Sequence, residues 1–341
     1  MSAPTGDTPV RQLVCVSVNA AIDKTAAVDH LVPGEIHRPE MLAVLPGGKA
    51  LNVARAARTL GLEATVVAVL GGRAGDWMEE ALAARAIRTH AVRVAGETRT
   101  CLSVLDRATG SLTEFYEAGS TLDAASWAAV EAALATELAA DPAGTIAVIA
   151  GSLPPGAPVD GYGRLAALAA GAGARAIVDV GGPHLAAALP ARPWLVKVNA
   201  REATEATGIA TPNETGARSA ARELQARGAV AALVTRGTAG ALLVDEAATA
   251  WRISPPPELG LYVVGSGDAF LAGLAAALAT GHPLPEAARH GAAAACANAL
   301  CPGQGELDPA DAARVLGAIS LERLEARWAG PSPADHSGPR P

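Results

Sequence analysis

Thr145 to Val180 reads TIAVIAGSLPPGAPVDGYGRLAALAAGAGARAIVDV. A nearly continuous apolar run over 145–150 gives way to a Gly- and Pro-rich turn, a helical pattern over 160–172 and a second nearly continuous run over 175–180. Runs this short and this nearly continuous in hydrophobicity suit strands buried on both faces, and strand, helix, strand in succession is the unit of a parallel sheet. Outward from there the rhythm recurs. Apolar runs lie near 13–18, 64–70, 194–198 and 230–235, and helices are predicted at about 51–60, 76–86, 123–140, 200–207 and 214–227. The fold class is therefore α/β, a doubly wound, mostly parallel sheet flanked by helices.

Two stretches break the rhythm: residues 24–45, and the pair 98–106 and 111–117 joined by the turn Ala108-Thr109-Gly110. They are assigned to a small β lid, drawn from about 24–45 and 95–118, that projects from the main body. Beyond about residue 260 the chain is predicted to be helical, near 266–280, 285–300 and 308–327. One domain over 12–328 is expected, with disordered tails at 1–11 and 329–341 where Pro, Gly, Ser and charge dominate. There is no internal repeat.

Composition excludes more than it reveals. The chain has 341 residues, half of them hydrophobic, which is enough for one large core or two modest ones. A net charge of -7 argues against a general nucleic-acid binder, so any basic residues used on substrate must be placed locally. Cys15, Cys101, Cys296 and Cys301 form no C-x-x-C pair and are too few to staple a chain of this size; a reducing cytoplasm is expected. The longest apolar runs fall short of a membrane span. Abundant alanine favours helix almost anywhere and says nothing about chemistry.

The chemistry is carried by Val264-Gly265-Ser266-Gly267-Asp268-Ala269-Phe270, a small-residue turn that runs straight into an apolar helix. Glycines let a backbone approach a ligand closely, and the N–H groups of a helix's first turn, with its dipole, make an anion site. A phosphate suits such a turn, but the carboxylate of Asp268 would repel it. The conflict disappears if Asp268 faces an incoming hydroxyl and takes its proton while the amides stabilise charge on a transferring phosphoryl group. The same residues also read as an Asp capping a helix behind a Gly-rich turn, and on this segment alone both readings stand. A second turn, Pro46-Gly47-Gly48-Lys49, opens a helix with Asn52 in its first turn, and by itself reads equally as a helix entry with a solvated lysine. Neither common nucleotide motif is present: the second turn lacks Walker spacing, and Phe270 stands where a dinucleotide fingerprint needs its third glycine.

Taken in order, these pieces resemble the ribokinase-like (PfkB) family of sugar kinases, and within it the 1-phosphofructokinase and tagatose-6-phosphate kinase branch. The resemblance covers about residues 12–318. It rests on Asn19-Ala20-Ala21-Ile22-Asp23, Pro33-Gly34-Glu35-Ile36-His37-Arg38 and Gly47-Gly48-Lys49-Ala50-Leu51-Asn52-Val53-Ala54. It continues through Thr98-Arg99-Thr100, Gly151-Ser152-Leu153-Pro154-Pro155-Gly156, Lys197-Val198-Asn199-Ala200-Arg201-Glu202 and the Gly265 to Phe270 turn.

The resemblance implies an ATP-dependent, Mg²⁺-assisted transfer to a sugar hydroxyl. Asp268 would be the base, with the amides of Gly265, Ser266 and Gly267 as the anion hole. Asp23 and Asn52 would hold sugar hydroxyls, and Gly48 would let the sugar approach the backbone. Asn199 and Glu202 would organise Mg²⁺ and the ATP phosphates, partly through water; locally they also fit a capped helix start. Lys197, Thr235 and Gly237 would lie along the nucleotide, with Asn298 at the adenine edge. Arg38, Lys49 and Arg99 together imply a sugar that already carries a phosphate, because a phosphomonoester needs cations that a free sugar does not. Fructose 1-phosphate, converted to fructose 1,6-bisphosphate, is the implied acceptor; tagatose 6-phosphate, fructose 6-phosphate or a free sugar or nucleoside on the same fold, and a silent sugar-phosphate sensor, are the alternatives.

The family pattern usually has proline where Ala20 stands, glycine at Ala50, a polar residue at Val263, proline at Val198 and asparagine at Tyr116. Ala50 and Tyr116 are expected near the sugar or under the lid. A lid of short strands leaves edges that are usually covered, so a homodimer through the lids is expected.

Overall fold

Leu13 and Cys15 face one side of the first strand and Val14 and Val16 the other, and all of them are buried. That is the pattern of a strand with helices on both faces. The computed structural model describes residues 9–256 and 260–325. Through the first half of the chain run β1 (Gln12–Ser17), β2 (Ala21–Val28), β3 (Glu40–Gly47), α1 (Lys49–Thr59), β4 (Glu63–Leu70), α2 (Gly72–Ala83) and β5 (Arg88–Arg93). Then come β6 (Arg99–Asp106), β7 (Ser111–Tyr116), α3 (Ala124–Leu138), β8 (Thr145–Ala150), α4 (Gly161–Ala172), β9 (Arg175–Asp179) and α5 (Gly182–Ala188). The rest holds β10 (Leu195–Asn199), α6 (Ala200–Thr207), α7 (Glu214–Ala226), β11 (Ala231–Thr235), β12 (Ala241–Val244) and β13 (Ala250–Ser254). It closes with α8 (Ser266–Ala279), α9 (Leu284–Asn298), α10 (Pro309–Leu316) and β14 (Ser320–Leu324).

Among the described residues the main sheet has ten strands in the order β14-β13-β12-β11-β10-β9-β8-β1-β4-β5. From β5 to β11 every pairing is parallel, and β11 to β14 are antiparallel. Helices α1, α2, α8 and α9 cover one face, and α3, α4 and α7 the other. The chain leaves β1 toward β4 on one side and returns to β8 on the other. Such a reversal opens a crevice at the carboxyl ends of the strands, where ligands bind in sheets of this kind. Ser17, Ala150, Asp179, Asn199 and Thr235 are the last residues of β1, β8, β9, β10 and β11, and all of them line one cavity of about 770 Å³.

The predicted lid is a separate four-stranded sheet, β3-β2-β6-β7. Its register puts Leu45, Asp23, Cys101 and Tyr116 in one row and Val44, Lys24, Leu102 and Phe115 in the next. Adjacent rows point to opposite faces. The first row carries cavity-lining side chains, while the second leaves Val44 and Phe115 exposed on the outer surface.

The helix expected over 308–327 ends at Leu316, and 320–324 forms the edge strand β14 instead. Its residues, SLERL, favour helix by propensity, but pairing with β13 decides their conformation. The tails expected at 1–11 and 329–341 lie largely outside the described residues. Of that N-terminal stretch Val10 is buried and the Arg11 N–H donates to the Gly144 carbonyl at 2.8 Å, so the packed chain begins before residue 12. Among the described residues no helix is long and apolar enough to cross a membrane.

Candidate active site

The turn before α8 is possible only because Gly265 has φ +86°, and because a Cβ there would meet the Gly305 nitrogen at 2.4 Å. Gly265 is the N-cap and no side chain caps this helix. Asp268 therefore does not cap. Its carboxylate, 6% exposed, accepts a hydrogen bond at 2.9 Å from the Asn52 side-chain amide on α1. Burial pushes Asp268 up to about 6; Lys49, Asn52 and Lys197 oppose the rise and Asp179 adds to it. A carboxyl poised near neutrality, in a cleft, beside a helix start is suited to accept a proton.

Around it the strand ends supply charge. Asp179 is buried and accepts from Lys197 Nζ at 2.5 Å and from Lys49 Nζ at 3.1 Å. Burial would raise its pKa, but Lys197 and Lys49 outweigh burial and hold Asp179 at about 2. The Lys197 ammonium also lies against Gly267, where an added Cβ would meet Nζ at 3.1 Å. Fixed positive charge therefore sits beside the amides of the α8 start. Of those amides, Ser266 N–H donates to the Val263 carbonyl at 3.2 Å, while Asp268 N–H and Ala269 N–H both turn to the Gly265 carbonyl.

On the lid side Asp23 is buried, accepts from Gly48 N–H at 3.2 Å, and is pushed up to about 6 by burial against the pull of Gly48, Arg55 and Arg99. Gly47 makes room for it: a Cβ there would overlap Asp23 Oδ2 at 2.0 Å. Arg99 lines the same cavity, its guanidinium donating to the Asn19 and Glu117 carbonyls at 3.1 Å each. At the opposite end Thr235, Gly237, Asn199 and Glu202 line the cavity toward β11. Asn199 and Glu202 form a reciprocal capping box at the start of α6, so the local reading of this pair holds as well as its place in the cavity.

The chain matches the family described as pfkB family carbohydrate kinase over residues 11–311. It belongs to that family. The kinase is 37% identical over 273 residues to the 1-phosphofructokinase of Xanthomonas campestris pv. campestris, covering 78% of this chain and 84% of that one. It is 34% identical over 278 residues to the 1-phosphofructokinase of Rhodobacter capsulatus, covering 82% and 87%. The structure of the tetrameric inhibited form of Escherichia coli phosphofructokinase-2 superimposes with a TM-score of 0.81 at 30% identity, over 91% of this chain and 99% of the other.

Two expected site residues of the kinase lie elsewhere. Asn298 is fully buried, with its amide spent on the Gly303 and Glu306 carbonyls at 3.1 and 2.8 Å and its oxygen accepting from Ser266 at 3.2 Å. It braces a turn instead of meeting adenine; Ala295, Cys296 and Ala299 line the cavity from that helix. Arg38 is exposed in the loop between β2 and β3, beyond the Ala27–Glu40 end of the pairing, whereas the cavity lies at the Asp23 end. Roughly five residues of strand, about 17 Å, separate the two ends. Lys49 does line the cavity, but as a partner of Asp179. Tyr116 lines it as expected, while Ala50 is buried in the core.

The sequence reading missed Asp179, Asn19 and Arg55 as contributors. Asp179 had a legible signal, a lone carboxylate closing an apolar strand. Asn19 donates to Ser152 Oγ at 2.9 Å across the cavity wall, a pairing 133 residues apart that no local pattern reveals.

Proposed function

We propose that this kinase transfers the γ-phosphoryl group of ATP to the free primary hydroxyl of fructose 1-phosphate, giving fructose 1,6-bisphosphate and ADP. The observation that carries the reading is the buried Asp268 carboxylate at the start of α8, in one cavity with Arg99 on the lid and Lys197 on the strand ends. Asp268 takes the hydroxyl proton, the sugar oxygen forms a bond to the γ-phosphorus, and the bond from that phosphorus to the β,γ-bridging oxygen breaks. Gly265 and Gly267 amides, with Lys197 alongside, stabilise charge on the transferring group. Asp23 and Asn52 orient the sugar. Arg99, already held by two carbonyls, keeps further donors of its fork for the acceptor's phosphate. Thr235, Gly237, Asn199 and Glu202 take the nucleotide side.

Mg²⁺ fits this donor set as a water-clad ion. Asn199 and Glu202 line the cavity, and among the described residues no group of three or more His, Cys, Asp or Glu side chains forms a direct cage. Bound there, it neutralises charge on the β- and γ-phosphates.

The test is turnover with Mg-ATP on fructose 1-phosphate, fructose 6-phosphate, tagatose 6-phosphate and free fructose, followed by ADP release. Fructose 1-phosphate should give the highest kcat/KM; free fructose outrunning the phosphates would sink the sugar-phosphate reading. Arg99→Glu should raise KM for the sugar phosphate by about 10- to 100-fold, the worth of a charged hydrogen bond, and leave KM for ATP near its original value. Equal effects on both KM values would show that Arg99 does not select the phosphate.

The outer lid face supports a homodimer. Val44 and Phe115 stand 42% and 55% exposed in one row, with Met41 (49%) and Ile36 (87%) close by in the chain. Sedimentation at micromolar concentration should give a dimer, and Val44→Asp with Phe115→Asp a monomer; a wild-type monomer would count against it. ATP use and four unpaired cysteines suit the cytoplasm.

A further inference from the structure

Arg55 is the largest fully buried side chain of the described residues, at 2% exposure on a helix whose other buried residues are Ala, Leu, Val and Asn52. Its guanidinium reaches four acceptors. Nε donates to the Pro46 carbonyl at 2.8 Å, Nη1 to Glu306 Oε1, and Nη2 to the Gln304 carbonyl at 2.5 Å and to Asn52 Oδ1 at 2.8 Å. The other end of that Asn52 amide, Nδ2, donates to Asp268.

We propose that Arg55 is a positioning residue for phosphoryl transfer, fixing the Asn52 amide so that its NH₂ group, and never its oxygen, faces Asp268. The inference rests on the reading of Asp268 as the base. Oxygen and nitrogen of an amide occupy nearly the same space, and the network around them decides which way it points. Rotated by half a turn, the amide would set its oxygen against the Asp268 carboxylate and its NH₂ against the Arg55 guanidinium. Two acceptors and two donors would then face each other without partners, on side chains that are all buried. Arg55 thus makes the unproductive orientation unfavourable at both ends.

The same guanidinium clamps the 303–306 turn, which fills the space between the two elements of the site. A Cβ on Gly305 would meet Asn52 Cβ at 2.9 Å, and one on Gly265 would meet the Gly305 nitrogen at 2.4 Å. Two roles must therefore be separated, holding the turn and orienting the amide. Only the second acts on the ionisation of Asp268. A donor on the carboxylate favours its charged form, and an amide free to present oxygen removes that preference. Lys49 on α1, Asp179 on β9 and Lys197 on β10 also act on Asp268, and none of them changes in an Arg55 variant; Asp23 on β2, which meets Asn52 and is pulled down by Arg55, keeps a cation beside it in Arg55→Lys.

The experiment is the pH dependence of kcat/KM, on the acceptor that turns over fastest, for wild type, Arg55→Lys and Glu306→Gln. The acceptor's own phosphate titrates near pH 6, but it is common to all three enzymes and cancels in their ratio. Arg55→Lys keeps the buried cation but cannot serve Asn52 and the turn together. Its activity should fall about fivefold further below wild type at pH 6 than at pH 8.5, a rise of about one unit in the acid limb. Glu306→Gln loosens the turn, leaves the Arg55–Asn52 bond, and should keep the wild-type limb.

An unmoved limb in Arg55→Lys, or an equal shift in both variants, overturns the proposal. Arg55→Met, similar in volume and without the buried charge, replaces Arg55→Lys should that variant not fold, since Glu306 keeps Arg85 at 3.5 Å; it is compared with wild type in an Asp23→Asn background, because Arg55 also pulls Asp23 down. Failure of both to fold also overturns it, because Arg55 would then hold the fold and not the amide. Asp268→Asn is measured alongside. If it stays active, the reading of the base falls; if it is inactive while the Arg55→Lys limb is unmoved, only the positioning role falls.

Discussion

Asp268→Asn should lower kcat by about 10²- to 10⁴-fold while leaving KM for the sugar phosphate within a few-fold of wild type. The carboxamide keeps the size of the carboxylate and can still meet Asn52, so the cavity should survive; what is lost is the capacity to take a proton from the attacking hydroxyl. The split between kcat and KM matters, because an interaction made only in the transition state lowers kcat alone. The wild-type enzyme should show a matching acid limb. With Asp268 pushed up to about 6 by burial, the base is ionised above that pH and is lost as pH falls through it, so kcat/KM should decline toward the acid side of about 6. In Asp268→Asn the residual rate should show a shallower limb, with the part due to the base gone and that of the acceptor's phosphate and Asp23 remaining. Near-normal turnover in this variant would remove the enzymatic reading and leave only the fold.

Asp179→Asn is expected to cost about 3–5 kcal/mol of folding stability, seen as a lower urea midpoint at pH 8. Lys197 is 4% exposed and bonded to Asp179 at 2.5 Å, with Lys49 on the other oxygen at 3.1 Å. Removing the carboxylate leaves the buried Lys197 ammonium without its counter-charge and unable to reach bulk water without moving, whereas the Lys49 side chain is 40% exposed. The pH dependence has a definite sign. Asp179 is held at about 2 in the folded protein, below the ordinary carboxylate value near 3.9. Its contribution is therefore complete above about pH 4 and lost as pH falls toward 2. The gap between wild type and Asp179→Asn should narrow across that acid window. Equal midpoints at pH 8 would mean that the two lysines find other partners.

Much of this molecule follows from local pattern. The buried strands announced themselves as continuous apolar runs, because a strand covered on both faces has no solvent side on which to place polar residues. Gly265 and Asp268 were legible together, since a glycine-rich helix start attracts anions and a carboxylate in it needs another task. What stayed ambiguous was always a choice between two partners. Asp268 could cap its own helix or face the cavity, and only the Asn52 amide, 216 residues away in the chain, decides for the cavity. Asn199 and Glu202 could cap or line the site, and folded they do both.

The sequence by itself determined the α/β class, the lid as a distinct sheet, and the catalytic turn, because each is written in residues adjacent along the chain. Tertiary structure alone decided that Arg38 lies at the far end of the lid, that Asn298 braces a turn, and that 320–324 is a strand. It also decided that Asp179 gathers two lysines and that Arg55 grips Asn52. The physical reason is common to all of these: hydrogen bonds and ion pairs between distant segments form only after the sheet has brought the strand ends to one edge, and a linear pattern carries no record of which ends will meet.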